Sequence, residues 1–210
     1  MSEPEIHTSA FGEDMLALSS FRDSVPVKWG TRNEIYGSVL PKGGSGAEVG
    51  VLYGTNAENM LLYSSPHSLV LVDSWKSAVN PDSPNKPTRF TIRSEKKYKF
   101  VVDRFAKEKR VKIWRCYSFE AATAVENGSL DWVYIDANHR YATALLDIQM
   151  WTAKLKVGGY MMCHDFTMKI WNGGVVEAIK YVMRRPGELE IVGRDGEGCS
   201  TVVLRRTKDR

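Results

Sequence analysis

Residues 47–73 read AEVGVLYGTNAENMLLYSSPHSLVLVD, and they indicate the class of fold. It begins with a short strand at 47–49, continues through a glycine-containing turn, and then alternates at a helical period over 56–63. The apolar run SLVLV at 68–72 is typical of a strand buried on both faces. A strand, a helix and a second strand at this spacing predict two parallel strands joined by a crossover helix.

The same alternation continues towards the end of the chain. Further strands are predicted at 111–116, 132–135, 159–163, 189–192 and 201–205, and helices at 94–108, 119–127, 141–155 and 175–184. Short helices are predicted between 13 and 40, a flexible entry at 41–46, and a proline-rich loop over 76–87. The pattern predicts an α/β fold with a Rossmann-like, doubly wound, mostly parallel sheet and helices on both faces. Ligands bind such sheets at the carboxyl ends of the strands.

Composition excludes several classes of protein. The chain has 210 residues, of which 43% are hydrophobic and 26% are charged, as in ordinary globular domains rather than disordered, collagenous or membrane-spanning chains. The N-terminal residues lack the basic and apolar regions of a secretory signal. Three widely spaced cysteines predict neither a disulfide framework nor a zinc motif. These features favour a cytoplasmic protein that does not enter a membrane.

The positive charge is concentrated in one segment. The chain has a net charge of +4, but residues 86–115 hold twelve lysines and arginines against three acidic residues. The rest of the chain is therefore acidic. The segment is interpreted either as a solvated helix face or as a surface that attracts an anionic acceptor. A nucleic-acid partner is disfavoured, because no separate binding module is visible.

The turn after the first predicted strand has the sequence EVGVLYG at 48–54. Gly50 and Gly54 allow a tight turn and close approach of a ligand, although a simple helix-entry turn is the alternative. The absence of G-x-G-x-x-G counts against NAD or FAD. Asp73 follows Gly50 by 23 positions and is placed either to accept hydrogen bonds from a ribose or to act as a turn aspartate. Trp75 is expected either over an adenine face or in the core.

A second polar group follows two later strands. In DWVYIDANHRY at 131–141, Asp136 stands where the apolar strand stops, and His139 follows three residues later. His164 and Asp165 end the next strand in the same way. Neighbouring parallel strands would bring both carboxylates to one pocket. Such a cluster can hold a hard divalent cation or accept a proton from a hydroxyl group, while a structural role for each histidine stays open.

These motifs together resemble class I S-adenosylmethionine-dependent methyltransferases, and most closely the bacterial group of macrocin and sugar O-methyltransferases. Three segments between residues 48 and 166 carry the resemblance. EVGVLYG at 48–54 resembles the family's cofactor loop E-x-G-x-x-x-G, and LVDSW at 71–75 resembles its acidic second-strand motif. SLDWVYIDANHRY at 129–141, followed by LKVGG at 155–159 and HDF at 164–166, resembles the signature I-D-x-x-H-x-Y … L-K-x-G-G … H-D-Y.

The resemblance implies a sheet of seven strands with the last antiparallel, and S-adenosylmethionine bound in the loop after the first strand. It also implies the cofactor-binding residues: Glu48, Gly50 and Gly54 beside the methionine part, Asp73 beside the ribose, with Ser74 and Trp75 just beyond it, Ser118 and Phe119 near the adenine, and Asp136 beside the sulfonium.

The implied reaction is methylation of a hydroxyl group on a small molecule, such as a sugar or a natural product. His139 is the first choice for the base and His164 the second. Asp136 and Asp165 either orient the acceptor or bind magnesium, as they do in metal-dependent relatives. Phe166 departs from the family pattern, because a third acidic or amide ligand often stands at that position.

The predicted organisation is an N-terminal helical cover segment at 1–40 and a methyltransferase domain at 41–210. By analogy with the family, the cover segment is expected over the acceptor pocket and at the contacts of a homodimer. Three other functions remain open at this point. They are N-methylation of a small amine, a nucleotide-binding oxidoreductase on a similar sheet, and a binding protein that kept the fold without catalysis.

Overall fold

The computed structural model describes residues 9–76, 89–168, 173–184 and 187–208, with side chains from residues 17 and 94 onward in the first two ranges. The helices are α1 Ser9–Ser24, α2 Arg32–Ser38, α3 Thr55–Ser64, α4 Arg89–Phe105, α5 Ser118–Ala124, α6 Tyr141–Thr152 and α7 Gly174–Val182. The strands are β1 Val27–Trp29, β2 Ser45–Val49, β3 Ser68–Val72, β4 Val111–Trp114, β5 Leu130–Ile135, β6 Leu155–Cys163, β7 Leu189–Asp195 and β8 Val202–Arg206.

The strands form one sheet in the order β1-β7-β8-β6-β5-β2-β3-β4. The pairs that β8 makes with β6 and β7 are antiparallel, and the other pairs are parallel. From β2 the chain moves outward to β3 and β4, then returns to β5 on the other side of β2. The strand order therefore reverses between β2 and β5, where a ligand site is expected. The predicted Rossmann-like α/β fold is confirmed.

Over the described residues the sheet has eight strands rather than the expected seven. The additional strand, β1, pairs in parallel with β7 at the edge of the sheet, with Val27 opposite Arg194. It lies in the segment 13–40, where only helices were predicted. A strand of three residues at a sheet edge is too short to show a hydrophobic period, so no sequence pattern marks it. Residues 77–87 of the predicted proline-rich loop lie outside the described residues.

Alternate side chains of each central strand point to opposite faces of the sheet. In β3, Leu69 and Leu71 pack in one cluster with α2, α3 and α4, while Val70 and Val72 pack in the other with α5, α6 and α7. Both faces of the central strands are therefore covered. Burial on both faces explains why the four residues after Ser68 in SLVLV are all apolar. The apolar run therefore has the same bounds as the observed strand.

The segment before residue 40 packs on both faces of the sheet. Helix α1 contacts α7, and α2 contacts α3 with Ile35 and Tyr36 fully buried. Ile35 and Tyr36 thus belong to the hydrophobic core on the face of the sheet that α3 and α4 cover. Within the described ranges, no helix has both the length and the apolar content that crossing a membrane requires.

Candidate active site

A cavity of about 800 Å³ opens at the carboxyl ends of β2, β3, β4 and β5. The loops after these strands line it, and α6 closes one side with three residues. The cavity lies where the strand order reverses, and its volume is within the range of roughly 300–1,000 Å³ that is usual for small-molecule sites. The fold therefore places this cavity at the position expected for a ligand.

The structure brings most of the predicted site residues to this cavity. The eight that line it are Glu48, Gly50, Asp73, Ser74, Ser118, Phe119, Asp136 and His139. His164 lines a small neighbouring cavity together with Asn138 and His139. Gly54, Trp75 and Asp165 lie behind the lining.

The two glycines of the first loop serve the packing of the protein itself. Gly50 has φ +92°, and a Cβ there would lie 2.1 Å from the backbone oxygen of Asp136. Gly54 has φ +74°, and a Cβ there would lie 2.6 Å from the ring of Phe105 in α4. Both positions therefore favour glycine, since an L side chain would be strained and would clash. Gly50 brings the end of β2 against the end of β5, and Gly54 lets α4 pack beneath the loop.

Asp73 holds the same loop closed. Its Oδ2 accepts hydrogen bonds from the backbone N–H groups of Val51 and Leu52, both at 3.0 Å, and its Oδ1 accepts one from Trp75 at 2.7 Å. A carboxylate offers about four acceptor positions, so one remains for a ligand. Asp73 therefore acts as a turn aspartate in this structure and also lines the cavity.

Trp75 lies in the core, which is one of the two positions that the sequence left open for it. Its side chain is 4% exposed, its indole N–H donates to the backbone oxygen of Leu52 at 3.0 Å, and its ring packs against Tyr98. The backbone at Trp75 has φ +43°, in the left-handed region. The indole is therefore held beneath the glycine loop and supports the loop from below.

Glu48 is a buried carboxylate with one oxygen left over. Its Oε1 accepts from the side-chain amide of Asn56 at 3.0 Å, and Asn56 in turn accepts from the hydroxyl of Tyr36 at 2.6 Å. Its Oε2 is buried and has no hydrogen-bond partner in the described structure. Burial, helped by the charges of Asp136 and Asp73, raises the pKa of Glu48 well above its usual value. The unpaired oxygen is suited to a cationic or hydrogen-bond-donating ligand.

The ends of β5 and β6 bring two carboxylates and two imidazoles together. His139 Nε2 lies 2.7 Å from Oδ2 of Asp165 and 3.3 Å from Oδ1 of Asp136. His164 Nδ1 lies 3.3 Å from Oδ1 of Asp136 and 3.2 Å from Oδ1 of Asp165. Each imidazole thus contacts both carboxylates. The structure therefore brings these two strand ends together in one polar cluster, as the sequence predicts.

The four groups set one another's protonation. Hydrogen bonds to Asp136 and Asp165 raise the pKa of His139 to about 9. Burial opposes the charge on His164, but the same two carboxylates outweigh it and raise its pKa to about 9 as well. Burial likewise opposes ionisation of both aspartates, yet the imidazoles keep their pKa values below the usual range. At neutral pH the cluster therefore holds two imidazolium and two carboxylate groups.

The cluster offers a mixed set of possible metal ligands. One atom each of Asp136, His139 and Asp165 lies within 4.8 Å of the others. Magnesium prefers oxygen ligands, whereas mixed nitrogen and oxygen sets suit transition metals. The position of the expected third ligand holds Phe166, which is fully buried and packs against Phe21 of α1. The described residues therefore do not support a magnesium site.

Several lining residues carried no recognisable motif. Asp147 projects into the cavity from α6, and Asn56 lines it from α3. Tyr36 reaches Asn56 from α2, which belongs to the segment expected to be a cover. No local spacing marks these side chains, because they come from helices that only the tertiary fold brings to the strand ends.

The basic segment is partly neutralised by ion pairs. Three of its arginines pair with acidic residues: Arg104 with Glu58, Arg110 with Glu108 and Arg115 with Glu95. Closer to the cavity, Lys97 lies 5.3 Å from the ring centre of Tyr53, and Lys76 lies 4.6 Å from that of Tyr117. Tyr53 and Tyr117 line the cavity, as does Lys76, which precedes the basic segment. The segment itself approaches the rim through Lys97 over the ring of Tyr53.

Residues 47–166 match the model of a family described as a methyltransferase domain. The matched range is more than half of the chain and contains the end of β2, the glycine loop and the polar cluster. The chain therefore belongs to this methyltransferase domain family. The comparison with curated protein sequences returned no match.

Solved structures share the fold at low sequence identity. A candidate caffeoyl-CoA O-methyltransferase from Staphylococcus aureus has a TM-score of 0.59 at 14% identity, covering 91% of each chain. Fibrillarin from Aeropyrum pernix, solved with bound S-adenosyl-L-methionine, has a TM-score of 0.55 at 16% identity, covering 82% of this chain and 72% of that chain. The N-methyltransferase NodS from Bradyrhizobium japonicum has a TM-score of 0.52 at 14% identity, covering 97% of this chain and all of that chain. At these identities the likeness concerns the fold alone.

Proposed function

We propose that this protein is an S-adenosylmethionine-dependent methyltransferase that methylates a hydroxyl group on a small molecule such as a sugar or a natural product. The observation that carries the proposal is that one cavity joins the buried carboxylate of Glu48 to the imidazole of His139. The first group suits a cationic cofactor, and the second suits proton transfer from an acceptor. Membership in the methyltransferase domain family supports the same assignment.

The cofactor is proposed to lie along the ends of β2, β3 and β4. Glu48 Oε2, which has no hydrogen-bond partner in the described structure, would accept hydrogen bonds from the ammonium group of the methionine part. The remaining acceptor position of Asp73 would bind a ribose hydroxyl, with Ser74 next to it. Ser118 and Phe119, after β4, line the part of the cavity proposed for the adenine.

When bound, S-adenosylmethionine supplies a methyl group on a cationic sulfur; transfer to a hydroxyl oxygen leaves S-adenosylhomocysteine and one proton. His139 lines the cavity and is the proposed acceptor of that proton. Asp136 would orient the hydroxyl, and Asp165 holds His139 in place through its 2.7 Å contact. His164 contacts both aspartates and is proposed as a positioning residue. His139 must be neutral to act, and a cation bound beside Asp136 lowers its pKa towards that state.

An anionic acceptor is proposed from the rim of the cavity. Lys76 lines the cavity, and Lys97 lies over the ring of Tyr53, which also lines it. Attraction between exposed charges weakens as salt is added. The KM for such an acceptor should therefore rise with ionic strength in wild type, and the rise should be smaller in Lys76→Ala. A KM that does not depend on salt would contradict an anionic acceptor.

N-methylation of an amine is the second candidate. It is favoured by one observation, the pKa of about 9 for both imidazoles, because an amine acceptor needs less help from a base than a hydroxyl does. The two functions differ in what Asp136 and His139 must do. An amine methyltransferase would tolerate the loss of His139, whereas a hydroxyl methyltransferase would not.

The test is a methyl-transfer assay that follows S-adenosylhomocysteine by mass spectrometry, with sugars, nucleotide-linked sugars, catechols and small amines as acceptors. We expect methylated hydroxyl compounds, and we expect kcat at saturating cofactor to fall about 10²- to 10⁴-fold in Asp136→Asn and His139→Gln. The exposed Asp103→Asn on α4 serves as the matched control and should keep the wild-type rate. Methylation of amines alone, or a full rate in Asp136→Asn, would contradict the proposal.

A further inference from the structure

Helix α6 presents a buried carboxylate to the cavity that the proposed mechanism does not use. Asp147 is 2% exposed and lines the cavity beside Ser118, Phe119 and Leu146. Its Oδ2 is buried and has no hydrogen-bond partner in the described structure. A buried carboxylate oxygen without a partner is costly, so its presence in a ligand cavity indicates a hydrogen-bond donor on the ligand.

The other side of Asp147 is held in place by the protein. The Ser118 hydroxyl accepts a hydrogen bond from the indole of Trp151 at 2.9 Å. Burial raises the pKa of Asp147 to about 6, and a hydrogen bond with Ser118 only partly offsets this rise. No cationic side chain contributes to the shift. Asp147 is therefore positioned by α5 and α6, and it lacks the charge partner that a purely structural buried aspartate usually has.

The walls around Asp147 suit a flat ring. Phe119 and Leu146 are large apolar side chains that remain about half exposed and line the cavity, as does Cys116. The ring of Tyr117 stacks on that of Phe119, with an interplanar angle of 10° and 5.8 Å between their centres. Apolar surfaces around one buried acceptor favour a heteroaromatic ring with an amino group at its edge.

We propose that Asp147 binds the exocyclic amino group of the adenine and makes the protein specific for adenosine-containing cofactors. This inference rests on the proposed function, because it assumes that S-adenosylmethionine binds in this cavity. The cofactor has three kinds of hydrogen-bond donor in the order ammonium, ribose hydroxyl and adenine amino group. The cavity has a carboxylate for each in the corresponding elements, with Glu48 on β2, Asp73 after β3 and Asp147 on α6 beside the β4–α5 loop.

The chemistry predicts which base is rejected. An adenine amino group donates a hydrogen bond to Asp147 Oδ2 and satisfies it. Hypoxanthine carries a carbonyl oxygen at the same ring position, which would face the carboxylate and leave both acceptors unsatisfied. Leaving a buried polar group unpaired costs about 1–3 kcal/mol, which corresponds to roughly 5- to 150-fold in affinity.

The experiment is calorimetric titration with S-adenosylhomocysteine and with its deaminated analogue, S-inosylhomocysteine. Wild type should prefer the adenosyl compound by about tenfold or more. Asp147→Asn should reduce this preference to threefold or less, because an amide N–H can donate to the inosyl oxygen. Asp103→Asn should keep the wild-type preference. Thermal melting of each variant checks that it is folded. A third ligand, the purine riboside analogue of S-adenosylhomocysteine, lacks the amino group and tests in wild type whether that group contributes to binding.

The outcomes distinguish whether the cavity binds the cofactor from whether Asp147 recognises its amino group. If wild type binds none of the three compounds, the proposed function itself fails. If wild type binds S-adenosylhomocysteine and both analogues with equal affinity, the cofactor assignment stands and the role of Asp147 is overturned. The role is also overturned if folded Asp147→Asn keeps the full wild-type preference. A preference for the amino group that is lost in Asp147→Asn supports it.

Discussion

His139 Nε2 lies 2.7 Å from Oδ2 of Asp165, across the ends of β5 and β6. The contact joins two strand ends that are 26 positions apart in the sequence, and it holds the imidazole at the wall of the cavity. It also keeps the proton on His139, since the pKa of His139 is raised to about 9 by Asp136 and Asp165. The two aspartates that position the proposed base therefore also keep it protonated at neutral pH.

The raised pKa of His139 predicts that the rate of methyl transfer depends on pH. The pKa of His139 is raised to about 9 in the protein alone, and a bound cationic cofactor lowers it from that value. We therefore expect kcat/KM for a hydroxyl acceptor to rise with pH between 6 and 9. Asp165→Asn removes one of the two carboxylates, and we expect the midpoint of the rise to move to lower pH. The measurement is kcat/KM against pH for both proteins. A profile that is flat from pH 6 to 9, or a midpoint unchanged by Asp165→Asn, would show that His139 is not the titrating base.

The donor set of the cluster predicts the response to chelators. Because the described residues do not support a magnesium site, we expect methyl transfer by the purified protein to continue at the same rate after dialysis against EDTA. The comparison is the rate of S-adenosylhomocysteine formation before and after dialysis, with magnesium or manganese added back to a third sample. A loss of activity that magnesium restores would contradict this expectation, and rescue by manganese alone would assign a transition metal to Asp136, His139 and Asp165.

The glycine loop offers a matched pair of substitutions for stability. A Cβ at Gly50 would lie 2.1 Å from the Asp136 backbone oxygen, whereas nothing lies within 4 Å of one at Gly128, which also has a positive φ of +65°. Gly128→Ala should therefore cost about 1 kcal/mol of unfolding free energy through backbone strain alone. Gly50→Ala should cost about 3 kcal/mol or more, since steric overlap adds to the strain. Urea unfolding measures both, and equal losses would refute the close approach of β2 to β5.

Asp147 should lower the stability of the protein without ligand. Its pKa is raised to about 6, so the folded state retains a proton that the unfolded chain has released above about pH 4. Stability relative to Asp147→Asn should therefore fall as pH rises from 4 to 6 and stay lower above that range. At pH 7.5 we expect Asp147→Asn to be more stable by about 3 kcal/mol, and the difference should shrink to about 1 kcal/mol at pH 4.5. Equal unfolding free energies at pH 7.5 would count against the unpaired carboxylate.

The sequence was informative wherever function depends on strand ends. Strands buried on both faces are continuous apolar runs, so the position where such a run stops marks the carboxyl edge of the sheet. Asp73, Asp136 and Asp165 were identified in this way. Their meeting at one edge follows from parallel strand order, and the structure places Asp73 and Asp136 in the cavity wall and Asp165 just behind it.

Residues that depend on tertiary packing were not readable in the same way. Trp75 follows an acidic strand end, yet its ring packs on Tyr98, which lies 23 positions later in α4. Asp147 and Tyr36 reach the site from helices, where a polar residue on a buried face has no spacing that distinguishes a ligand contact from a structural one. Strand β1 is too short to show any period. These features follow from how helices pack on the sheet rather than from local sequence.

Binding of S-adenosylmethionine in the cavity is measured by calorimetric titration of the purified wild-type protein with S-adenosylmethionine and, in parallel, with NADH. We expect saturable binding of S-adenosylmethionine at one site per chain, weakened in Glu48→Gln, and no binding of NADH. Binding of NADH with no heat from S-adenosylmethionine or S-adenosylhomocysteine would contradict the account.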